Sequence, residues 1–352
     1  MSLTPLELDL QNVSPAISAR VHKTGGIDDA TLLSLVSHPP SDPALSCPDH
    51  PDDNAVSHVD SITEKLESEG EQAIKDGKVA FVVLAGGSGT RVGEPKAFMQ
   101  IPGVGISLLT WKMMQAGNMP VWIMTTPDLM RQMHQHVSML AVPVGLSGVI
   151  FDQFEGYRLT PDNRLSFVSP GVPELHPLGH GDVGPALNAS GLLDENPNVK
   201  HIVVCNVDNV LGSPHPGVIG RHIARGKKVT CELVDRVGDV NGGVPAWVGN
   251  RLQVVETFRL PDWFDAGVRW QSTNTMIIDV DALREPISWR YHRVRKVVDG
   301  RVVDKHERLL QQYTEAFETG YVVVPRGARY CPVKVMGDIE NAGKVLQGYR
   351  FK

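Results

Sequence analysis

The 352-residue chain is 41% hydrophobic and 21% charged, a globular composition with enough apolar material for one elaborate domain or two smaller ones. Its net charge of −6 argues against a nucleic-acid surface, which needs a basic excess, but leaves room for an anionic small molecule held by a few placed cations. Its four cysteines, Cys47, Cys205, Cys231 and Cys331, form no CxxC pair and argue against both a disulfide framework and a zinc ribbon.

At the start, MSLTPLELDLQNVSP has no basic stretch followed by an apolar one, so no signal peptide is expected. The apolar run Val79 to Ala85 is far too short to span a membrane, and a soluble, cytoplasmic protein is the expectation. Residues 1–57 read as a helical and irregular segment. Asp28 or Asp29 can cap a helix over ATLLSLV. Residues 38–57, rich in Pro and Asp, read as a connector. Val59, Ile62, Leu66, Ala73 and Ile74 then recur at helical spacing and predict a helix from about Ser57 to Asp76.

Beyond it the pattern changes. VAFVVLA, VWIMTT (121–126), HIVVCNVD (201–208) and TMIIDV (275–280) are short apolar runs, expected of strands buried on both faces. Helical stretches at 106–116 and 128–140 separate them. The alternation predicts an α/β fold with a mixed, mostly parallel central sheet and helices on both faces. Ligands of such sheets bind at the carboxyl ends of strands. GGSGTR, TTPD and VDN stand at three of those ends.

The first of these stretches holds the clearest chemistry. Gly86, Gly87, Gly89 and Gly93 leave backbone N–H groups free to approach an anion. The loop contains no GxxxxGK[ST] string, which excludes a Walker A loop. A GxGxxG fingerprint fails because Val92 stands where its third glycine belongs. GGxGTR…PK does fit, through Gly86, Gly87, Gly89, Thr90, Arg91, Pro95 and Lys96. It resembles the loop of nucleotidyltransferases that join an NTP to a sugar phosphate. Arg91 and Lys96 would neutralise the triphosphate as charge builds on departing pyrophosphate.

Further stretches follow in order: VIFDQFEGYRL (149–159), LGHGDVGPALNASGLLD (178–194), VVCNVDNVLG (203–212) and YVVVPRGARYCPVKVMGDI (321–339). With the loop they make residues 58–345 resemble the eukaryotic-type UTP–glucose-1-phosphate and N-acetylglucosamine-1-phosphate uridylyltransferases. The resemblance implies the nucleotide-diphospho-sugar transferase fold, with a core over 58–285 and a segment over 286–352 completing the site. It implies that Leu84, Ala85, Gln153, Gly179 and His180 join the loop in holding nucleotide, with Gln153 on the base edge. Asp208 would bind Mg²⁺ and Lys334 would grip phosphate. Asn206, Gly243, Glu256 and Asn274 would face the acceptor, and Asp182 and Asp338 are lesser candidates for supporting the metal.

This sequence departs from that pattern in several places. Only RVGE separates Gly-Thr from Pro-Lys, two residues fewer than usual. Pro177-Leu178 replaces Pro-Pro, and Val244-Pro245 follows the second Gly-Gly. The sequence ends at Lys352, and no long β-helical tail is expected, which favours a monomer or homodimer. These changes keep GTP with a cyclitol phosphate, such as valienol 1-phosphate, beside UTP with a sugar 1-phosphate. A silent nucleotide-sugar sensor is the non-enzymatic alternative. No nucleic-acid or membrane partner is expected.

Other features take simpler readings. His176 and His180 are four apart, but Pro177, Gly179 and Gly181 speak against a helix presenting both to zinc. His134 and His136 read as solvated, and Met113, Met114, Met124, Met130 and Met133 as core filler. Asp194 and Glu195 fit a solvated helix end. Ser88 lacks the GxSxG elbow of a nucleophile. RYHRVRK (290–296) reads as an exposed helix or strand near the acceptor.

Overall fold

The computed structural model describes residues 3–23, 25–39, 45, 47–87, 89, 93–141, 145–238 and 242–347. Among them an eight-stranded sheet forms the frame. In chain order its strands are β1 (Ser57–His58), β2 (Val79–Leu84), β3 (Val121–Thr125), β4 (Val149–Asp152), β5 (His201–Asn206), β6 (Val229–Asp235), β7 (Trp270–Asp279) and β8 (Thr319–Val323). Their spatial order is β1-β8-β6-β7-β5-β2-β3-β4. β7 runs antiparallel to both its neighbours, β6 and β5, and every other pairing is parallel. The sheet is therefore mixed and mostly parallel.

The apolar runs behave as two-faced strands. All six residues of β2 are buried, with Ala80, Val82 and Leu84 in one core and Val79, Phe81 and Val83 in the other. Helices cover both faces because successive side chains point to opposite sides. The Val183–Ser190 and Val280–Arg284 helices contribute Leu187 and Leu283 to the first core. The Leu108–Gln115, Pro216–Arg225 and Met336–Gln347 helices contribute Leu108, Ile219 and Ile339 to the second.

The helix expected from Ser57 starts later. Ser57 and His58 instead pair in parallel with Val322 and Val323, and the helix spans Glu64–Lys75. Thr63 caps it by accepting the Leu66 N–H. An extended edge strand satisfies the backbone of residues 57–58, which periodicity alone does not reveal. Asp28, not Asp29, caps the Asp29–Ser37 helix.

The Glu64–Lys75 and Pro216–Arg225 helices cross at glycines. A Cβ at Gly220 would lie 1.7 Å from the Leu66 carbonyl oxygen, and one at Gly70 would lie 1.9 Å from that of Pro216. The backbones touch, so neither position admits a side chain.

Among the described residues, two of the hairpins outside this sheet bear on the site. Gly243–Val248 pairs with Arg251–Glu256, and His292–Val298 pairs with Arg301–Glu307. The second turns at Asp299-Gly300, both with positive φ (50° and 75°), as a two-residue type I′ turn requires. The N-terminal segment packs across residues 149–178. Arg20 pairs with Glu155 and Asp128, and Asp9 pairs with Arg164. The sheet draws strands from residues 1–57, 58–285 and 286–352 alike. No helix among the described residues is long and apolar enough to cross a membrane.

Candidate active site

A cavity of about 340 Å³ opens at the carboxyl ends of β2 and β5. Its floor is Leu84, Gly86, Gly87 and Gly89 on one side and Asn206, Val207 and Asp208 on the other. Parallel β2 and β5 are in register, with Leu84 opposite Asn206, so the two loops leave the sheet side by side. Loops 112 residues apart in sequence thereby meet: Lys96 Nζ donates to Asp208 Oδ2 at 2.6 Å. Both side chains are about four-fifths buried, at 19% and 22% exposure.

The glycines of the loop have distinct reasons. A Cβ on Gly86 would lie 2.3 Å from Gln153 Oε1, whereas one on Gly87 would meet nothing within 4 Å. Gly86 therefore makes room for Gln153. Gly87 turns bare backbone toward the cavity. Gly89 has φ 65°, the left-handed region open to glycine.

Gln153 is itself fixed: its Nε2 donates to the Gly179 carbonyl at 2.6 Å, leaving its Oε1 at the cavity wall. Gly179 has φ 100°, and a Cβ there would lie 2.4 Å from the Arg308 carbonyl oxygen. Arg308 is buried between Phe154, Trp289 and Tyr291. It pairs with Asp182 and donates to the Gly25 carbonyl, tying the N-terminal segment to the GHGD turn. Burial pushes the Asp182 carboxyl up to about 6, so at neutral pH it is still the anion Arg308 requires. His180 accepts the Leu310 N–H on Nδ1 at 2.8 Å, and burial lowers its pKa to about 4. It faces the cavity as a neutral ring.

The Asp208 loop is held from below. Asn209 accepts the Cys331 N–H at 2.9 Å and donates to the Arg329 carbonyl at 3.2 Å. Arg329 bonds to Ser213 and pairs with Glu232 in the core. Fully buried Lys112 donates to the Gly212 carbonyl, and burial lowers its pKa. Val333 N–H donates to the Asp208 carbonyl at 2.8 Å, which brings the 329–334 segment beside the metal candidate.

A β-bulge positions Asn274. Register jumps from Cys231↔Met276 to Leu233↔Ser272, so residues 273–275 crowd opposite Glu232. Asn274 takes φ 59° there and donates from Nδ2 to Asn206 Oδ1 at 3.0 Å. Its own Oδ1 is buried without a partner among the described residues.

The structure gathers most of the expected nucleotide residues. Leu84, Gly86, Gly87, Gly89, Gln153, Gly179 and His180 line the cavity with Lys96, Asn206 and Asp208, and Ala85 is buried beneath it. Thr90 and Arg91, like Ser88, lie outside the described residues. Gly243 and Glu256 are paired across their hairpin and sit outside the lining, with Glu256 accepting from Gln311 Nε2 at 2.8 Å. Burial raises the Glu256 carboxyl to about 7. Lys334 is exposed and is not among the lining residues. Asp182 is committed to Arg308, and Asp338 accepts the N–H groups of Lys334 and Val335.

Three charged cavity residues were not anticipated: Arg158, Lys305 and Glu307. The Asp-Gly turn between alternating residues was the available signal for the hairpin carrying two of them. Basic residue Lys296 comes from its other strand, so the run 290–296 takes the strand form of its reading, although its His292 is buried rather than exposed. His136 departs from its solvated reading, since its Nε2 bonds to Ser107 and Thr110 hydroxyls at 2.9 and 3.0 Å. Among the lining residues four cations (Lys96, Arg158, Lys296, Lys305) face two carboxylates (Asp208, Glu307). The cavity is positive in a protein whose net charge is −6.

The family pattern described as UTP–glucose-1-phosphate uridylyltransferase matches residues 47–342. The chain belongs to this family. Within the uridylyltransferases it is similar to the UTP–glucose-1-phosphate uridylyltransferase of Pyrus pyrifolia, at 26% identity over 325 residues, 82% of this chain and 67% of that protein. The match to the Hordeum vulgare enzyme of the same description is 28% identical over 54% of this chain and 44% of that protein. The chain thus spans less than half the length of that relative. Its fold is like that of Leishmania major UDP-glucose pyrophosphorylase, solved in complex with UDP-glucose, at TM-score 0.75 and 19% identity over 96% of this chain and 79% of that one. Trypanosoma brucei uridine diphosphate N-acetylglucosamine pyrophosphorylase gives TM-score 0.70 and 18% identity over 98% and 85%.

Proposed function

We propose that this chain transfers a nucleotidyl group from an NTP, UTP in first place, to a sugar 1-phosphate, giving an NDP-sugar and pyrophosphate. The observation that carries the reading is the contact of Lys96 with Asp208 at the floor of a positive, glycine-walled cavity. A sensor of nucleotide sugars would need the cavity but not a lysine–aspartate pair aimed at phosphates.

An acceptor phosphate oxygen is already ionised at neutral pH, so no strong base is required. It attacks the α-phosphorus in line. The new P–O bond forms as the bond to the β-phosphate oxygen breaks, and the electron pair leaves with pyrophosphate. The protein's task is positioning and neutralisation. Gly87 and Gly89 offer backbone N–H groups, and Lys96 supplies charge. Gln153, braced on Gly179, presents an amide oxygen to the base, which suits the N–H of a uracil edge. Asn206, from the cavity lining, would bond an acceptor hydroxyl, with Asn274 bonded to it from behind the lining.

Asp208 fits Mg²⁺: it offers a hard oxygen at the cavity floor, and this ion is commonly held by one or two carboxylates with substrate phosphates completing the shell. Bound there, the ion would neutralise phosphate charge. A monomer or homodimer in the cytoplasm is part of the same reading.

The test is pyrophosphate release with Mg²⁺ across four NTPs and a panel of acceptor 1-phosphates. Turnover with UTP and a hexose 1-phosphate is expected. Turnover only with GTP and a cyclitol phosphate would reassign both pockets. Nucleotide binding without turnover on any pair would make the chain a sensor.

A further inference from the structure

A second cluster of polar groups lies at the other end of the sheet, and the transfer reaction does not use it. His201 opens β5 and Asp279 closes antiparallel β7, so the two are register partners. Their end is separated from Asn206 by the length of β5, about 17 Å at the rise of a strand. His201 Nδ1 lies 2.6 Å from Asp279 Oδ1. His222, from the Pro216–Arg225 helix, brings its Nε2 to the same oxygen at 2.9 Å.

We propose that His201, His222 and Asp279 bind a divalent transition-metal ion of the zinc type. Two imidazoles and one carboxylate from three elements converge, with their donor atoms all within 4.8 Å of one another. That ligand set suits a borderline-soft ion with open positions, rather than Mg²⁺ or Ca²⁺, which prefer all-oxygen sites. His222 is 1% exposed, and its Nδ1 bonds to the Thr230 hydroxyl at 2.9 Å. With Nδ1–H donating to Thr230, the Nε2 lone pair faces the cluster, the arrangement by which a partner group orients a ligating histidine.

The open positions face outward. His201 and Asp279 line a surface cavity of about 540 Å³, so water or a small anion can complete the shell. A tetrahedral ion with bonds of about 2.0 Å holds adjacent donors about 3.3 Å apart, so from their 2.6 and 2.9 Å contacts the His201 and His222 rings would withdraw from Oδ1 by about 0.7 and about 0.4 Å. The nearby cations are partly engaged: Arg284 pairs with Asp194, and Lys200 donates to the Pro197 carbonyl. A bound ion would pin the Pro216–Arg225 helix to the sheet.

The experiment uses the full, tag-free chain carrying Asp208→Asn, which removes the metal candidate of the main cavity. After chelation and dialysis it is titrated with Co²⁺, read by visible absorption, and with Zn²⁺ against a chromophoric chelator. One equivalent of Zn²⁺ is expected, together with a rise in Tm. Adding His201→Gln or Asp279→Asn should weaken binding at least tenfold and abolish the Tm rise. His201 is partly exposed, so its replacement tests the site even if His222→Gln fails to fold. No Zn²⁺ binding by the parent, or unchanged affinity in a folded His201→Gln protein, would overturn the proposal and leave the cluster a hydrogen-bonded stitch.

Discussion

In the proposed transfer Lys96 and Asp208 carry the charge chemistry, and each is held by structure that the other does not share. Lys96 opens a 3₁₀ turn after Pro95, while Asp208 sits on the loop braced by Asn209, Arg329 and Lys112. Both side chains are largely buried but face an open cavity where water can solvate a lone charge, so the loss of either should leave the fold intact. We expect Lys96→Ala and Asp208→Asn each to lower kcat by about 10²-fold or more, the scale of removing one preorganised charge stabiliser. Circular dichroism and melting temperature should stay near those of the parent. A folded Asp208→Asn protein with near-normal kcat would refute the metal assignment. These two residues were legible because the phosphate loop and VDN occupy strand ends, where α/β sheets bind ligands. Lys305 and Glu307 were not, because which face of a hairpin meets the cavity depends on its register and tilt, and neither was Arg158, which follows the short Glu155–Tyr157 strand and carries no motif of its own. Lys305→Ala should raise the KM for NTP several-fold more than it lowers kcat. An effect on kcat alone would place Lys305 elsewhere in the cycle.

At the level of elements, the crossing of the Glu64–Lys75 and Pro216–Arg225 helices makes the sharpest demand. With a Cβ predicted 1.7 Å from a carbonyl oxygen, Gly220→Ala must push two backbones apart. Overpacking of this kind costs about 1–3 kcal/mol or more. Urea unfolding should show Gly220→Ala at the upper end of that range, whereas Ala at exposed Gly327, which meets nothing within 4 Å, should be near neutral. Equal midpoints for the two variants would mean that the helices do not touch as described. The first of these helices was legible from apolar spacing, within looser bounds, but the second was not read and neither was their contact, since a glycine in a helix reads only as a weak propensity until its neighbour is known. Edge strand β1 escaped for a related reason. Two residues carry no periodicity, and Ser57–His58 is defined by its partner, Val322–Val323.

Across the whole molecule, buried ionisable groups tie stability to pH in two opposing ways. Burial lowers His176 to about 3, and His180 and His306 to about 4. Below the ordinary histidine value near 6.5 the unfolded chain takes up protons that the folded chain refuses. Stability should therefore fall as pH drops from about 6.5 toward 4, by up to about 1.4 kcal/mol per pH unit for each fully buried ring. His180, which lines the open cavity, should contribute least of the three. Glu256 works the other way. Its carboxyl rises to about 7, so between the ordinary glutamate value near 4.5 and 7 the folded state holds a proton that the unfolded state releases. That group destabilises the fold progressively as pH increases through this window, and the cost is complete above it. Glu256→Gln removes this ionisation and leaves the histidines. Chemical unfolding of the parent and of Glu256→Gln between pH 4.5 and 8 should then diverge, with the variant gaining relative stability as pH rises and levelling off above about 7. Parallel curves would show that Glu256 ionises as an exposed carboxylate does. The hairpin seat that places it near Gln311 and Lys334 would then have to be more open than the structure describes.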